Sequence, residues 1–433
     1  MQTIVKPFAV ALNGKGPITL FKRIWSISQR YGLNAAKMDR SLERLSELLK
    51  RFKCQATLPI TTVALVRNSA VIQKYQAQGI EFAVHGYLHI DHSQLSLAEQ
   101  EAHFRNARRA FQENGIHFEG FRCPYLRWNE DTLTALEQTN FVYDSSSSLF
   151  WDLPGKHTSD SYYRVLEFYG AQSLADYLAL PYFDEAHNLV RIPYCLPDDE
   201  SLIERLNWDS AAEMNQIWPT MFHQLHQQGE LFTLGLHPER IQDCSDALTA
   251  TLQEAQAIAP TVWPARLSEI ATWWKARHET VVEVITPQND QLQLTINGPA
   301  GVTLLLRSLE VKTETKPWFD GYHQASEFPC IIQTNTRPFI GLSPDSAPAL
   351  RSFLKQQGYI IEVTSTPDNY SLYLDYKSFS QYAERSLIAK IETANFPLAR
   401  LGRWPNGTRS AFNVTGDIDA ITFWDYSQRL WGK

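Results

Sequence analysis

His85 and His89 stand four residues apart after a short apolar run, Ile80–Val84, with Gly86 between them. Neutral imidazole is a good ligand for a divalent metal, so the first question is whether both rings can reach one ion. On a continuing strand they would share a face but lie roughly 13 Å apart, at about 3.3 Å per residue. If the chain turns helical at Gly86, positions i and i+4 become neighbours roughly 6 Å apart, and one ion can bind both. Glycine permits that break. Far downstream, Gly416-Asp417-Ile418-Asp419 places two carboxylates i, i+2 after a strand-like run, Ser410–Thr415, and before the apolar Ile421-Thr422-Phe423-Trp424. That setting is a poor place for idle charges. One carboxylate could bind a metal and leave the other free as a base.

Further polar residues occupy similar positions. Arg122, in Arg122-Cys123-Pro124-Tyr125, follows Phe118–Phe121; Asp144 follows Phe141–Tyr143; and His237-Pro238 follows Glu230–Leu236. His92 is an additional candidate ligand, for which a surface role is expected. His223 and His226 form an i, i+3 pair within a helical stretch, but no carboxylate is close in sequence, and they read as packing or surface residues.

The elements that must position these groups alternate in type. Helical periodicity covers 18–32 and 36–52; Gln55–Val66 reads as a strand, Ser69–Gln78 as a helix and Ile80–Val84 as a strand. Leu97–Asn114 follows Ser96 with Glu99 at the third helical position, a capping box. Asp131–Gln138 is helical, 150–190 an irregular aromatic stretch expected to form loops over the mouth of the fold, and Leu189–Pro193 a strand. Helices are expected over Ser210–Gln228, Ala247–Ala259 and Pro264–Arg277. Such β–α alternation predicts a parallel sheet or barrel, in which chemistry collects at the C-terminal strand ends. From about Glu279 to residue 400 the texture becomes β-rich, with one helix at Ala347–Gln357 and no catalytic cluster; a structural or glycan-contacting role is expected there. Residues 401–433 return to the barrel texture.

Composition bounds the function. The chain has 433 residues and a net charge of −7, with no basic run, which argues against a nucleic-acid surface. Its five cysteines are scattered without metal-site spacing, and neither a secretory signal nor an apolar run of membrane-spanning length is apparent. A cytoplasmic protein with reduced thiols is the expectation.

The order His85-x-x-x-His89, Arg122-x-Pro124-Tyr125 and a late Leu236-His237-Pro238 resembles the polysaccharide deacetylases of the NodB-homology, carbohydrate esterase family 4, type. The resemblance implies a distorted, incomplete (β/α) barrel. The family's first motif is an N-terminal strand ending in paired aspartates, and nothing like it precedes residue 80; the matching strand is Val414–Asp419. A circular permutation is therefore expected, with 1–278 the main barrel, 279–400 an inserted β-rich accessory domain, and 401–433 completing the barrel. Termini of compact domains often lie close together, so moving the cut need not alter packing.

By that resemblance Asp419, His85 and His89 would hold a divalent metal, most expectedly Zn²⁺, and Asp417 would be the general base. Arg122 would orient Asp417, the Tyr125 backbone N–H would bind the oxyanion, His237 would be the general acid, and Asp144 would tune His237 or line the groove. Gly86 replaces the family's usual Ser or Thr, and the spacing of Asp417 and Asp419 leaves open which is base and which is ligand. The activity implied is removal of an N-acetyl group from an amino sugar or polysaccharide precursor. A C–N hydrolase acting on a non-sugar amide and a non-catalytic glycan-binding protein are the alternatives.

Overall fold

A computed structural model describes residues 30–153, 160–206, 211–288 and 290–431; most of the helical stretch expected over 18–32 lies outside them. The fold centres on an open, curled twelve-stranded sheet. Its middle runs Tyr194–Leu196, Leu231–Gly235, Ser410–Thr415, Ala56–Ile60, Glu81–Val84, Gly120–Phe121, Tyr143–Asp144 and Leu189–Arg191. All neighbours in that series are parallel. Among the described residues of this sheet, only the edge strand Tyr182–Asp184 runs against its neighbour. Parallel strands covered on both faces must be buried throughout, and every residue of Ala56–Ile60, Glu81–Val84 and Ser410–Thr415 is.

The order of the strands is the main topological fact. Ser410–Thr415 follows every other strand in the chain, yet it lies between Leu231–Gly235 and Ala56–Ile60, pairing Phe412 with Phe232 and Thr415 with Thr57. The half-barrel is therefore completed in its centre by a late strand. Val262–Pro264 pairs with the start of the same strand.

Helices cover the sheet where their apolar stripes demand it. Leu97–Glu113 starts at the predicted Ser96–Glu99 capping box and buries Phe104, Ala107 and Phe111. Phe104 packs edge-on against Phe121 at 4.6 Å between ring centres, and burying such a side chain contributes about 1.5–3 kcal/mol. Ala36–Arg51 buries Leu42, Leu45, Leu48 and Leu49 as its leucine spacing requires.

Three local expectations are corrected. Gln55–Val66 is not one strand: the chain leaves the sheet after Ile60 and Thr62–Arg67 is a helix. The aromatic stretch is not all loop, because Asp160–Tyr169 is helical. Residues 281–401 are less purely β than their composition suggests. They form two four-stranded sheets and one three-stranded sheet, packed with Pro348–Gln356 and with an unforeseen second helix, Glu384–Thr393. The five cysteines are all free and buried, and no helix of the described residues is long and apolar enough to cross a membrane.

Candidate metal centre

Each candidate residue follows the C-terminal end of a strand in the central parallel series, so neighbouring strands deliver them to one edge. His85 follows Val84, and its backbone N–H bonds Ile60 O at 2.9 Å. Its Nδ1 lies 2.9 Å from Arg122 O. A carbonyl can only accept, so Nδ1 carries the proton and Nε2 presents its lone pair. That Nε2 is buried with no hydrogen-bond partner, and it faces Asp419 Oδ1 at 3.5 Å and Asp417 Oδ2 at 3.6 Å.

Between the histidines the backbone bends without forming the expected helical turn. Gly86 takes φ +78°, and a Cβ there would sit 2.8 Å from both His92 Cε1 and Leu88 O. The left-handed bend brings the two rings to 5.1 Å between centres, so the proximity is achieved by a different backbone route. Gly86 O is held by the Thr62 amide at 3.0 Å and its hydroxyl at 3.1 Å.

Asp417 and Asp419 are fixed against the end of the Ala56–Ile60 strand. Ile418 N–H donates to Pro59 O, Thr61 N–H donates to Ile418 O, and the Thr61 hydroxyl donates to Asp419 O. Gly416 is required by close approach, since a Cβ would lie 1.5 Å from Leu236 O. With Ile418 buried between them, the two carboxylates reach the same side as the histidines.

His89 Nε2 lies 3.2 Å from Asp419 Oδ1, and the ligand atoms of His85, His89 and Asp419 all lie within 4.8 Å of one another. Bond lengths of about 2.1 Å at a tetrahedral ion put ligand atoms about 3.4 Å apart. The 3.2 and 3.5 Å separations fit that requirement, as does the unprotonated, unbonded His85 Nε2.

Asp417 is held differently. Its Oδ1 accepts from Arg122 Nη1 at 2.9 Å. Arg122 is fully buried and spends its other donors on Thr415 Oγ1, Ser145 O and Ser145 Oγ. Its guanidinium lies over the Tyr194 ring at 4.6 Å. A buried arginine held by four hydrogen bonds is a rigid clamp. Tyr125 adopts the left-handed region (φ 59°, ψ 11°), a conformation that costs a non-glycine residue about 1–3 kcal/mol. Its ring meets His89 edge-on at 4.4 Å.

His237 follows the strand beside Ser410–Thr415, and its Nδ1 bonds Asp199 Oδ1 at 2.9 Å. Burial opposes protonation of His237, but the adjacent Asp199 carboxylate outweighs it and holds the imidazole well above its ordinary range. Reciprocally, although burial works against it, His237 keeps the Asp199 carboxyl below the usual range. Asp199 also accepts from the His237 backbone N–H at 3.1 Å.

The family resemblance gives Asp144, not Asp199, the role of tuning His237. The structure corrects that. Asp144 is buried, accepts from Arg191 Nε at 2.8 Å and from Ser146 Oγ at 2.5 Å, and neither pairs with His237 nor lines an open groove. The usable signal was the adjacent pair Asp198-Asp199 soon after the Tyr194–Leu196 strand, a position like those of His85, Arg122 and His237. His92 is corrected as well: it is fully buried beneath Gly86 and stacked on Phe104 at 5.4 Å. Burial lowers its pKa to about 3. His226 is a packing residue bonded to Ser410 Oγ at 2.7 Å, and His223 is exposed.

Residues 34–143 match the family model for polysaccharide deacetylase. A peptidoglycan deacetylase-like protein, FGM2, of Gibberella zeae is 33% identical over 93 residues, 21% of this chain and 25% of that protein. The chain thus spans about a quarter of the length of the curated relative it matches. Among solved structures, the Puue allantoinase overlaps 61% of this chain and 78% of its own at 20% identity, with a TM-score of 0.45. A Pseudomonas aeruginosa PAO1 protein described as a probable polysaccharide deacetylase overlaps 59% of this chain and 76% of its own at 23% identity, with a TM-score of 0.44.

Proposed function

From the polysaccharide deacetylase relationship of residues 34–143, we propose that the protein is a metal-dependent hydrolase removing N-acetyl groups from an amino sugar or polysaccharide precursor. One observation carries the reading: His85, His89 and Asp419 converge on a common point beside an Asp417 that Arg122 already orients.

His85 Nε2, His89 Nε2 and an Asp419 oxygen would hold the ion, for which two histidines and a carboxylate suit Zn²⁺. When bound, such an ion supplies Lewis acidity toward a carbonyl and lowers the pKa of water. The remaining work belongs to side chains. Asp417 is the general base, because Arg122 fixes Oδ1, leaving Oδ2 to take a proton. Asp419 is the ligand because it alone approaches both histidines. The backbone N–H of Tyr125 is assigned to the developing oxyanion. His237, kept protonated by Asp199, gives its Nε2 proton to the departing amine.

The central position of the late Ser410–Thr415 strand, between Leu231–Gly235 and Ala56–Ile60, supports reading the chain as a circular permutation with 279–400 inserted.

The test is substitution of Asp417 by Asn. Acetate release from N-acetylated oligosaccharides should vanish while metal content stays at the wild-type level; undiminished hydrolysis would overturn the assignment. A panel that yields ammonia from non-sugar amides, with no acetate from sugars, would overturn the substrate class.

A further inference from the structure

At the opposite, N-terminal end of the central strands lies a cavity of about 390 Å³ between the main sheet and residues 305–400. Four arginines line it, Arg385, Arg400, Arg403 and Arg409, against three carboxylates, Glu230, Asp320 and Glu392. Three guanidiniums have a carboxylate partner. Arg385 pairs with Glu230 at 3.0 Å, Arg409 with Asp320 at 3.2 Å, and Arg400 with Glu392. Glu392 is already oversubscribed, since Arg307 at 3.5 Å and the Tyr322 hydroxyl at 2.8 Å also use it.

Arg403 is left over. Nη1 donates to Gln228 O at 3.2 Å, while Nε and Nη2 are buried with no hydrogen-bond partner among the described residues. Burial and the nearby Arg400 charge both push its pKa down, and burial lowers that of Arg409 to about 10. The cavity therefore carries more buried positive charge than its own carboxylates neutralise, an arrangement that an incoming anion relieves. Arg403 lines the cavity with Gln228 and Gly229. Guanidinium forks match the oxygens of phosphate. The opposite wall is aromatic: Trp318 and Tyr322 meet at 6.2 Å, and the Trp318 indole is fixed by its N–H to Gly407 O at 2.8 Å.

We propose that this cavity is a binding site for a small phosphate ester, with the phosphate on Arg403 and a ring of the ligand against Trp318 and Tyr322. A sugar phosphate and a nucleoside diphosphate share that chemistry. The site is distinct from the metal centre, because Arg409 precedes the strand whose far end leads to Asp417 and Asp419.

The experiment is calorimetric titration of the full chain with inorganic phosphate, glucose 1-phosphate, UDP and acetate, accompanied by thermal melting. Saturable binding of phosphate is expected, and at least tenfold tighter binding of one of the two esters identifies the source. Arg403→Gln should weaken binding at least tenfold and abolish the rise in melting temperature that phosphate gives the wild type. In phosphate-free buffer it should melt no lower than the wild type, having lost an unpaired charge. If that variant does not fold, Arg403→Lys, which keeps the charge and loses the fork, should show the same weakening. Trp318→Ala should reduce the favoured ester to the affinity of inorganic phosphate. Failure of all three phosphates to bind saturably, equal binding by an Arg403 variant, or acetate binding as tightly as phosphate would overturn the proposal.

Discussion

Arg122 and Asp417 form a 2.9 Å ion pair across 295 residues of sequence, with the guanidinium fully buried and the carboxylate partly open to solvent. The arginine therefore does not merely neutralise Asp417; it fixes Oδ1 and leaves Oδ2 3.6 Å from His85 Nε2. Arg122→Lys keeps the charge but cannot reproduce donors to Thr415, Ser145 and Asp417 together. Hydrolysis should fall about 100-fold, the scale of losing a positioned base, while metal content stays unchanged. Steady-state kinetics with elemental analysis checks both halves.

Removing the metal should separate fold from activity. Treatment with a chelator should abolish hydrolysis, and adding back one equivalent of divalent ion per chain should restore it. His89→Ala should purify folded but without metal, because His89 lies beyond the end of the Glu81–Val84 strand and the sheet itself is unchanged. Elemental analysis and circular dichroism on the same sample decide it.

The His237–Asp199 pair sets a pH signature. His237 has its pKa raised in the folded state, so the stability it contributes is fully present below the unfolded value of about 6.5 and is lost as pH rises through the folded value. The same raised pKa keeps the proposed acid protonated, so it places the alkaline limb of the rate profile. Asp199→Asn removes the attraction and should move that limb to lower pH. A pH–rate profile with an unmoved alkaline limb would remove His237 from the acid role.

Gly86→Ala is a test of the bend. The new methyl group would meet His92 and Leu88 O, and the left-handed φ would be strained in any case. A loss of about 1–3 kcal/mol is expected, measured by denaturant unfolding, together with weaker metal binding as the two imidazoles are pushed apart.

Asp144→Asn should act on stability alone. It strands the buried Arg191 guanidinium without its counter-ion, which costs about 3–5 kcal/mol. The pH–rate profile should keep its shape, because Asp144 does not touch His237.

Much of the site was legible because its residues follow a common rule: a polar residue directly after a short buried strand. His85, Arg122, Asp417 and His237 could all be picked out that way, and the His85–His89 spacing suggested a shared ion. What the sequence could not supply was pairing across strands. Asp144 and Asp199 both follow strands, and only the order of those strands in the sheet shows which carboxylate meets His237. His92 was misjudged for a related reason: polarity suggested the surface, whereas Phe104 and Phe121 on other elements bury it. The Thr62–Arg67 helix was missed because its Thr-Val-Ala-Leu-Val composition favours a strand. The Gly86 and Tyr87 carbonyls instead capture the backbone N–H groups of Thr62 and Val63.

The late central strand also has a consequence for how the protein is made. Thr61 and Asp419, joined by a side-chain hydrogen bond, are 358 residues apart. At about 5–20 residues per second, a ribosome needs roughly 20–70 s to travel between them. Once Leu231–Gly235 has also been made, it and Ala56–Ile60 each lack the partner that Ser410–Thr415 supplies until that later strand is translated. Nascent chains thus carry an open seam in the middle of their sheet, and the histidines wait without their carboxylate. Assembly of the candidate metal site is consequently a late event of biogenesis, gated by translation of the strand that closes the seam.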